Sequence, residues 1–273
     1  GVTHLCGAPI IMSMIASAPD NERQAFDQKV RMMTAAAPPP APVIEAMEQM
    51  GIAITHVYGL TEVYGPAVVC AAKPEWAALP LDEQSKLKAR QGVAYELEED
   101  VLVLDPETSL PVPLDGETQG EVVFRGNIVM KGYLKRPDET AEAFRDGWFH
   151  TGDIGKMDEK GFMFLLDRKK DMIVTGGENV YSSEVEAALY QHENVHECAV
   201  VGVPDDRYGE ALFAAIVPRP GTSLTDSEII EHCRDLIGGY KIPRRMAFVD
   251  ELPKSAMGKI LKTEIRKIYG EKT

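Results

Sequence analysis

Residues 30 to 57 alternate between strand and helix patterns, and this alternation constrains the fold most strongly. Val30 to Thr34 and Ile52 to Val57 are short apolar runs that predict buried strands. Between them three consecutive prolines exclude a continuing strand, Pro42 suits the first turn of a helix, and Gly51 suits its end. A strand, loop, helix and strand in this order predict a doubly wound α/β domain.

The stretch after the second strand carries polar groups that suit a nucleotide pocket. Tyr58-Gly59-Leu60-Thr61-Glu62 offers an aromatic ring, a hydroxyl and a carboxylate within five residues. Open α/β sheets bind ligands at the carboxyl ends of their strands. The alternative is a core aromatic residue, a turn glycine and a solvated glutamate, because so short a pattern also arises by chance.

Strand patterns after residue 100 predict a small β subdomain attached to the α/β part. A polar stretch from Lys73 to Arg90 precedes them and is predicted to be helical, with Trp76 among its apolar anchors. The predicted strands are Val101–Leu104, Glu121–Arg125, Val129–Tyr133 and Gly161–Leu166. Asp-Pro and Asp-Gly pairs predict turns between them.

A charged segment, Asp-Arg-Lys-Lys-Asp at 167–171, separates this part from a second predicted domain. The residues that follow alternate again between strand and helix patterns, and about a hundred residues suffice for an independent α+β domain. Ser183 with Glu186 and Thr225 with Glu228 predict capping boxes that open two helices, and a basic tail is predicted after Lys254. We therefore predict a first domain at 1–166, a hinge at 167–171 and a second domain at 172–273.

Composition excludes several classes of protein. The 29 basic residues are outnumbered by 43 acidic ones, and the net charge of −14 argues against general attraction to nucleic acid or to an anionic membrane. The four cysteines show no C-x-x-C pairing, which favours reduced thiols in the cytoplasm over a disulfide frame or a zinc site. No apolar run approaches the roughly 20 residues needed to span a bilayer, so a soluble protein is expected.

Four stretches closely resemble, in order and spacing, the acyl-adenylate-forming superfamily, and within it the acyl-CoA synthetases. They are Tyr58 to Glu62, Gly147-Trp148-Phe149-His150-Thr151-Gly152-Asp153, Asp167 to Asp171 running into Thr175-Gly176-Gly177-Glu178-Asn179, and Lys254-Ser255-Ala256-Met257-Gly258-Lys259. Gly120 to Tyr133 also matches a structural motif of that superfamily, and Ala35-Ala36-Ala37-Pro38 stands where it usually has a Gly-Gly-Ala-Pro adenine loop. Each stretch alone is weak, whereas the set is specific.

The resemblance implies both a fold and a reaction. The fold is α/β and α+β: the end of a large adenylate-forming domain, with its small β subdomain, followed by a mobile α+β lid domain. The reaction is that of an ATP-dependent acid–CoA ligase, acting on a medium- or long-chain fatty or aromatic acid. The acid and ATP give acyl-AMP, from which the thiol of coenzyme A then displaces AMP. ATP or AMP, Mg²⁺ and coenzyme A are therefore implied.

The resemblance assigns nucleotide-binding tasks to residues of the first domain. The residues implied to surround adenine are Ala36, Ala37, Pro38, Tyr58 and Gly59. Thr61 is implied to meet the α-phosphate, and Glu62 to hold Mg²⁺, a hard ion that prefers oxygen ligands. Asp153 is implied to bind the ribose hydroxyls, since a carboxylate can accept two hydrogen bonds. An ordinary turn aspartate is the alternative.

Other tasks fall to the second domain and to the acyl pocket. Lys259 is implied to be catalytic in adenylation, because a flexible ammonium can follow charge from carboxylate to phosphate. Asp167 is implied to be the pivot, and Arg168 a second ribose or phosphate contact. The residues implied to border the pantetheine channel are Gly176, Gly177 and Glu178, and those implied to line the acyl pocket are His56, Val63, Tyr64 and Gly65. The alternatives are an ordinary strand histidine at 56, a solvated lysine at 259 and a solvated linker at 167–171.

The family's glycine- and Ser/Thr-rich phosphate loop does not occur in these 273 residues. We therefore expect the carboxyl-terminal portion of a synthetase, with the N-terminal part of the same enzyme as its partner, and we expect the isolated chain to adenylate poorly. Two other functions remain open. They are an adenylation domain that feeds a carrier protein and a nucleotide-binding or interaction module without turnover. The sequence leaves a homo-oligomer open.

Overall fold

A computed structural model describes residues 1–22, 26–36, 38–96, 99–255 and 258–270. The chain divides into two compact units, Gly1–Leu165 and Leu166–Thr273. This division lies one residue before the end of the first domain predicted from sequence. Within the described residues, no helix is both long and apolar enough to cross a membrane.

The first sheet of the first unit is mixed, and its first three strands have the parallel pairing expected of an α/β domain. Its strands are β1 (His4–Cys6), β2 (Val30–Thr34), β3 (Ile52–Leu60), β4 (Gly65–Cys70) and β5 (Val93–Ala94), in that spatial order. The first three are parallel, and β4 and β5 pair antiparallel. Helices α1 (Pro9–Ala16) and α2 (Ala41–Gln49) bury Met12 and Met47 in one cluster with Val30 and Ile52. The expected strand, loop, helix and strand are thereby confirmed.

The predicted helix from Lys73 to Arg90 is wrong in its extent. The chain forms a short 3₁₀ turn at Pro74–Ala78 and then α3 (Leu81–Lys88). Pro80 stands immediately before α3, and a proline there removes a backbone donor and opposes a continuous helix. Trp76 is buried as expected, against Phe162.

A second sheet begins in the first unit with β6 (Asp100–Leu104), β7 (Gly120–Arg125) and β8 (Phe149–Met157), and ends with β9 (Met163–Arg168), a strand that runs past the end of this unit at Leu165. Helix α4 (Pro137–Ala143) lies between β7 and β8 in the chain. The predicted strand at Val129–Tyr133 is wrong, because this segment turns and the Met130 N–H donates to the carbonyl of Glu62 at 2.7 Å. Strand β8 was not predicted as a strand, since its apolar residues are interrupted by a polar motif.

The second unit is a sheet covered on both faces by helices. Its strands are β10 (Ile173–Thr175), β11 (Glu178–Val180), β12 (Val195–Asp205), β13 (Gly209–Pro218) and β14 (Arg245–Phe248), and its helices are α5 (Ser182–Leu189), α6 (Asp226–Arg234) and α7 (Lys262–Gly270). The sheet order is β11-β10-β13-β12, and β14 pairs with β13. Helices α5 and α6 pack on the face that carries Val200, and α7 packs on the face that carries Val201. The predicted basic tail is therefore largely an amphipathic helix.

One of the two predicted capping boxes is confirmed and the other is wrong. Thr225 and Glu228 exchange both hydrogen bonds of a capping box at the start of α6. Helix α5 instead begins at Ser182, the Ser183 hydroxyl donates to the carbonyl of Leu166, and Glu186 accepts from the Val200 N–H at 2.8 Å. Glu186 therefore bonds to β12 within the second unit and does not cap α5.

Glu186 forms an ion pair with Lys262 at 2.8 Å, and both side chains are about four-fifths buried. Lys262 also donates to the hydroxyl of Ser182, which donates to Asp167 at 2.5 Å. Burial alone would lower the pKa of Lys262, but the carboxylates of Glu186 and Asp167 outweigh it and raise that pKa. The first turn of α7 is therefore tied to the start of α5.

Replacing Lys262 by methionine should destabilise the second unit by about 2–4 kcal/mol, because it leaves the buried Glu186 carboxylate without its cation, with only the Val200 N–H as a donor. Urea unfolding of the 273-residue chain measures the change. Lys267→Met is the matched control, since Lys267 is on the same helix but its side chain is 71% exposed, and it should change stability by less than about 0.5 kcal/mol. Equal effects of the two substitutions would contradict the buried ion pair.

Candidate nucleotide site

The Tyr58 to Glu62 stretch lies at the tip of a β-hairpin. Strand β3 continues to Leu60, the chain turns through Thr61–Val63 and Tyr64, and β4 returns antiparallel. A register shift follows Tyr58, and an ideal Cβ on Gly59 would lie 1.8 Å from the carbonyl oxygen of Gly65. A side chain at 59 therefore cannot fit in this hairpin. The sequence pattern predicted that the motif follows the strand, whereas β3 continues into the motif as far as Leu60.

The parallel pairing of β2 and β3 brings the predicted adenine loop to the same edge. Thr34, the last residue of β2, pairs with His56, two residues before Tyr58. Ala36 and Pro38 follow and are exposed. Ala37, also predicted to contact adenine, lies outside the described residues. Ala36 has a φ of 80°, a left-handed conformation that glycine adopts at less cost.

A hydrogen bond joins two of the predicted motifs. The Tyr58 hydroxyl donates to Asp153 Oδ2 at 2.6 Å, although the two residues are 95 positions apart. Tyr58 is 8% exposed and Asp153 is 6% exposed. The Tyr58 ring also packs with Phe124, with centroids 6.0 Å apart. The residues predicted to bind adenine and ribose are therefore adjacent.

Glu62 is half-buried and held at two points. Its carbonyl accepts from Met130, and its carboxylate accepts from the Tyr133 hydroxyl at 3.1 Å. Burial and then the neighbouring Glu62 raise the pKa of Tyr133. Thr61 is exposed beside it. One accessible carboxylate fits Mg²⁺, which takes one or two protein carboxylates and completes its shell with water and phosphate. No group of three His, Cys, Asp or Glu side chains gathers as a metal site among the residues that the structure describes.

The four residues predicted to line the acyl pocket have different surroundings. His56 is 2% exposed, and its Nδ1 lies 3.1 and 2.9 Å from the backbone carbonyls of Ala89 and Arg90, which fits a donated proton. Burial lowers the pKa of His56, which favours a neutral ring. Val63 is fully buried in the core, Tyr64 is 88% exposed, and Gly65 has a φ of 118°. The strand-histidine alternative accounts for the contacts of His56.

In the second unit, Gly176 and Gly177 form the two-residue turn between β10 and β11. Their φ angles of 61° and 86° are those of the hairpin turn that favours glycine at both positions. Glu178 follows and is exposed. The Gly176 N–H donates to the carbonyl of Tyr208 at 2.9 Å, so Tyr208 lies beside the turn.

Two arginines flank the Tyr208 ring. The Arg244 guanidinium lies 3.9 Å from the ring centroid, and that of Arg207 lies 5.1 Å from it. Sequence reasoning missed this cluster, because Tyr208 and Arg244 are 36 positions apart and only the register of the sheet unites them. The Arg207-Tyr208 pair was the one local signal.

The predicted pivot and catalytic residues occupy polar positions of the second unit. Asp167 Oδ2 accepts from both the N–H and the hydroxyl of Ser182, and Arg168 is exposed at the end of β9. Lys259 is exposed; its carbonyl accepts from the Ser255 N–H at 2.8 Å, and its N–H donates to the Ser255 hydroxyl at 3.2 Å. Lys254 pairs with Glu197 at 2.7 Å. Ala256 and Met257 of this loop lie outside the described residues. The loop that carries Lys259 is therefore anchored at its base.

Comparisons with known proteins identify the family of the chain. Residues 1–134 match the family of AMP-binding enzymes, and residues 184–259 match the AMP-binding enzyme C-terminal domain. The chain therefore belongs to the acyl-adenylate-forming superfamily. It is 46% identical, over 98% of its length, to the probable acyl-activating enzyme 5, peroxisomal, of Arabidopsis thaliana, and 45% identical, over 97%, to a 2-methylpropanoate–CoA ligase of Humulus lupulus. The matches cover 49% and 48% of those proteins, so the chain spans about half their length.

Solved structures of adenylate-forming enzymes share the fold. ATP-bound MatB from Rhodopseudomonas palustris superposes with a TM-score of 0.83 at 29% identity, over 98% of this chain and 51% of that one. The o-succinylbenzoate CoA synthetase of Bacillus subtilis, in complex with its acyl-adenylate, gives 0.81 at 27% identity, over 97% and 51%. The expected mixed fold, matching one half of a synthetase, is confirmed.

Ala36→Gly should stabilise the chain by about 0.5–1 kcal/mol, because it relieves a left-handed alanine at a modest cost in unfolded-state entropy. Urea unfolding measures it. Ala35→Gly is the matched control, since Ala35 does not have a positive φ and glycine there should bring no gain. A loss of stability in Ala36→Gly would contradict the strained loop.

Proposed function

We propose that this chain contributes the nucleotide-binding edge and the small domain of an ATP-dependent acid–CoA ligase. The hydrogen bond between Tyr58 and Asp153 carries the proposal, because it joins two distant motifs at the edge where β2 and β3 end. The named CoA ligases among the relatives support the reaction class. The N-terminal part of the same enzyme is the proposed partner.

Adenylation would use the residues at this edge. A carboxylate resists attack because its departing oxygen would carry a full charge. Attack of a carboxylate oxygen on the α-phosphate of ATP would release pyrophosphate and form acyl-AMP, in which AMP is a better leaving group. Asp153, oriented by the Tyr58 hydroxyl, would accept from the ribose hydroxyls, and Thr61 would donate to the α-phosphate. Glu62 would hold Mg²⁺, which offsets the charge of the triphosphate when it is bound.

Lys259 is the proposed catalytic residue for this first step. Its ammonium is exposed on a loop whose base is fixed by the Lys254–Glu197 ion pair. A compact charge of this kind can follow negative charge from the acid to the phosphate, and placed charge is often the largest catalytic contribution. Asp167 and Arg168 are proposed as the pivot and a second nucleotide contact for a rotation of the small domain.

Thioester formation would use the turn at Gly176 and Gly177. Without side chains, this backbone can approach a thin pantetheine arm closely, and Glu178 borders the turn. The adjacent Tyr208 with Arg207 and Arg244 offers two guanidinium groups beside an aromatic ring, a combination suited to phosphates and a purine. We therefore place the phosphates of coenzyme A at this cluster.

The acid itself is proposed only by class. A medium- or long-chain fatty or aromatic acid stays the prediction, with Val63, Tyr64, Gly65 and His56 as the residues to test. Relatives are named for acetate, butyrate and 2-methylpropanoate, so an assay should begin with two-carbon acids. Cytoplasmic location also stays a prediction, since two of the relatives are named peroxisomal.

Lys259→Ala should lower pyrophosphate release by about 100-fold or more while leaving thioester formation from supplied acyl-AMP nearly unchanged. Both rates are measured on the full natural polypeptide that contains this chain, with a panel of two- to sixteen-carbon and aryl acids. Lys267→Ala is the control and should change neither rate. Nucleotide binding without turnover of any acid in the wild type would favour a binding module over a ligase.

Arg244→Ala should raise the KM for coenzyme A by about tenfold, because one charge-assisted phosphate contact is lost, with pyrophosphate release unchanged. Arg234→Ala, an exposed arginine at the end of α6, is the matched control. An unchanged KM in Arg244→Ala would exclude this cluster as the coenzyme A site.

A further inference from the structure

Asp153 lies in an interruption of the pairing between β7 and β8. Glu121 pairs with Ile154 and Val123 pairs with His150. Three residues of β8, Thr151 to Asp153, therefore stand opposite the single residue Val122. Gly152 within this bulge has a φ of 72°. Bulges re-aim side chains and leave backbone groups without ladder partners, so other groups must bond them.

Two side chains supply the missing hydrogen bonds. The Gly152 N–H donates to Glu121 Oε1 at 3.2 Å. The Thr151 hydroxyl donates to the carbonyl of Val122 at 2.7 Å and accepts from the Asp153 N–H at 3.0 Å. The bulge is thereby closed on both sides of Gly152, and the backbone of Asp153 is held directly.

Glu121 is itself fixed in place. It is 3% exposed, and its Oε2 lies 2.6 Å from an Arg145 nitrogen. His150 Nδ1 lies 3.2 Å from the same oxygen without the alignment of a hydrogen bond. A buried carboxylate costs stability unless it is paired and hydrogen-bonded. Arg145 and the Gly152 N–H meet that need, so Glu121 is committed to this position.

We propose that Glu121 and Thr151 are positioning residues for Asp153, which they hold at the angle needed to receive the ribose hydroxyls of ATP. This inference rests on the proposed function, since it assumes that Asp153 binds ribose. Neither residue is assigned a contact with the nucleotide. Both act through the bulge, and Tyr58 fixes the carboxylate of Asp153 at its other end.

The test compares ATP with 2′-deoxyATP and 3′-deoxyATP as substrates. If Asp153 is displaced, the enzyme loses only the contribution that the ribose hydroxyls make to the use of ATP. The preference is the ratio of kcat/KM for pyrophosphate release, measured on the full natural polypeptide. Glu121→Met keeps the length of the side chain and removes the acceptor, and it should reduce the preference for ATP by about tenfold. Glu121→Gln keeps an oxygen that accepts from the Gly152 N–H, and this variant should retain most of the preference for ATP.

Thr151→Val is a second, nearly isosteric variant and should also reduce the preference for ATP over the deoxy nucleotides. It keeps the proposal testable if Glu121→Met does not fold. Asp100→Asn breaks the half-exposed Arg125–Asp100 pair at the far end of β7 and should leave the preference intact. A wild-type preference that persists in folded Glu121→Met or in Thr151→Val overturns the positioning role alone. If the wild-type enzyme shows no preference for ATP over the deoxy nucleotides, the ribose role of Asp153 in the proposed function is overturned, and this inference falls with it.

Discussion

The first unit depends on a hydrophobic core that its two sheets share. Tyr58 and Val63 from the hairpin of β3 and β4 pack in one cluster with Phe124 and Phe149 from the second sheet. Within that cluster, the Tyr58 hydroxyl is the polar group that needs a partner, and Asp153 supplies it. Packing and hydrogen bonding therefore select the same relative placement of the two motifs. The edge that would bind a nucleotide is a product of this core.

The second unit is stabilised in a different way, by a central pair of strands that is buried on both faces. Residues of β12 and β13 alternate between the cluster under α5 and α6 and the cluster under α7. Both strands are apolar over most of their length, as expected for strands covered on both sides. The loops at the ends of this rigid sheet carry Gly176, Tyr208 and Lys259. Rigid strands that present variable loops are a common basis for binding sites.

Local sequence signals predicted the elements whose stability is local. The strand Val30–Thr34, the helix after Pro42 and the Thr225 capping box follow from period, proline chemistry and a three-residue spacing, and the structure contains each of them. The wrong capping box arose because distant partners decide the contacts of its glutamate. Glu186 has the spacing of a capping residue, but Val200 and Lys262 bind it instead.

The same distinction applies to the candidate site. The family motifs predicted the residues of the proposed nucleotide edge. They gave no individual role to Glu121, Tyr133 or Tyr208, whose contacts with Gly152, Glu62 and Arg244 span 31 or more positions. A single sequence contains no local pattern that predicts such distant pairs. Only the folded structure brings them together.

Helix α7 contributes to the second unit far more than its basic composition suggests. Ile265 is fully buried, the Tyr269 ring stacks on Phe213 with centroids 4.4 Å apart, and Arg266 pairs with Asp171 at 2.9 Å. Proteolytic trimming before residue 262 would remove Ile265 and Tyr269 from one face of the sheet and leave Glu186 without its cation. The segment that carries Lys259 leads directly into this helix. Loss of the last turns would thus make the unit prone to aggregation and would loosen the loop that holds the proposed catalytic lysine.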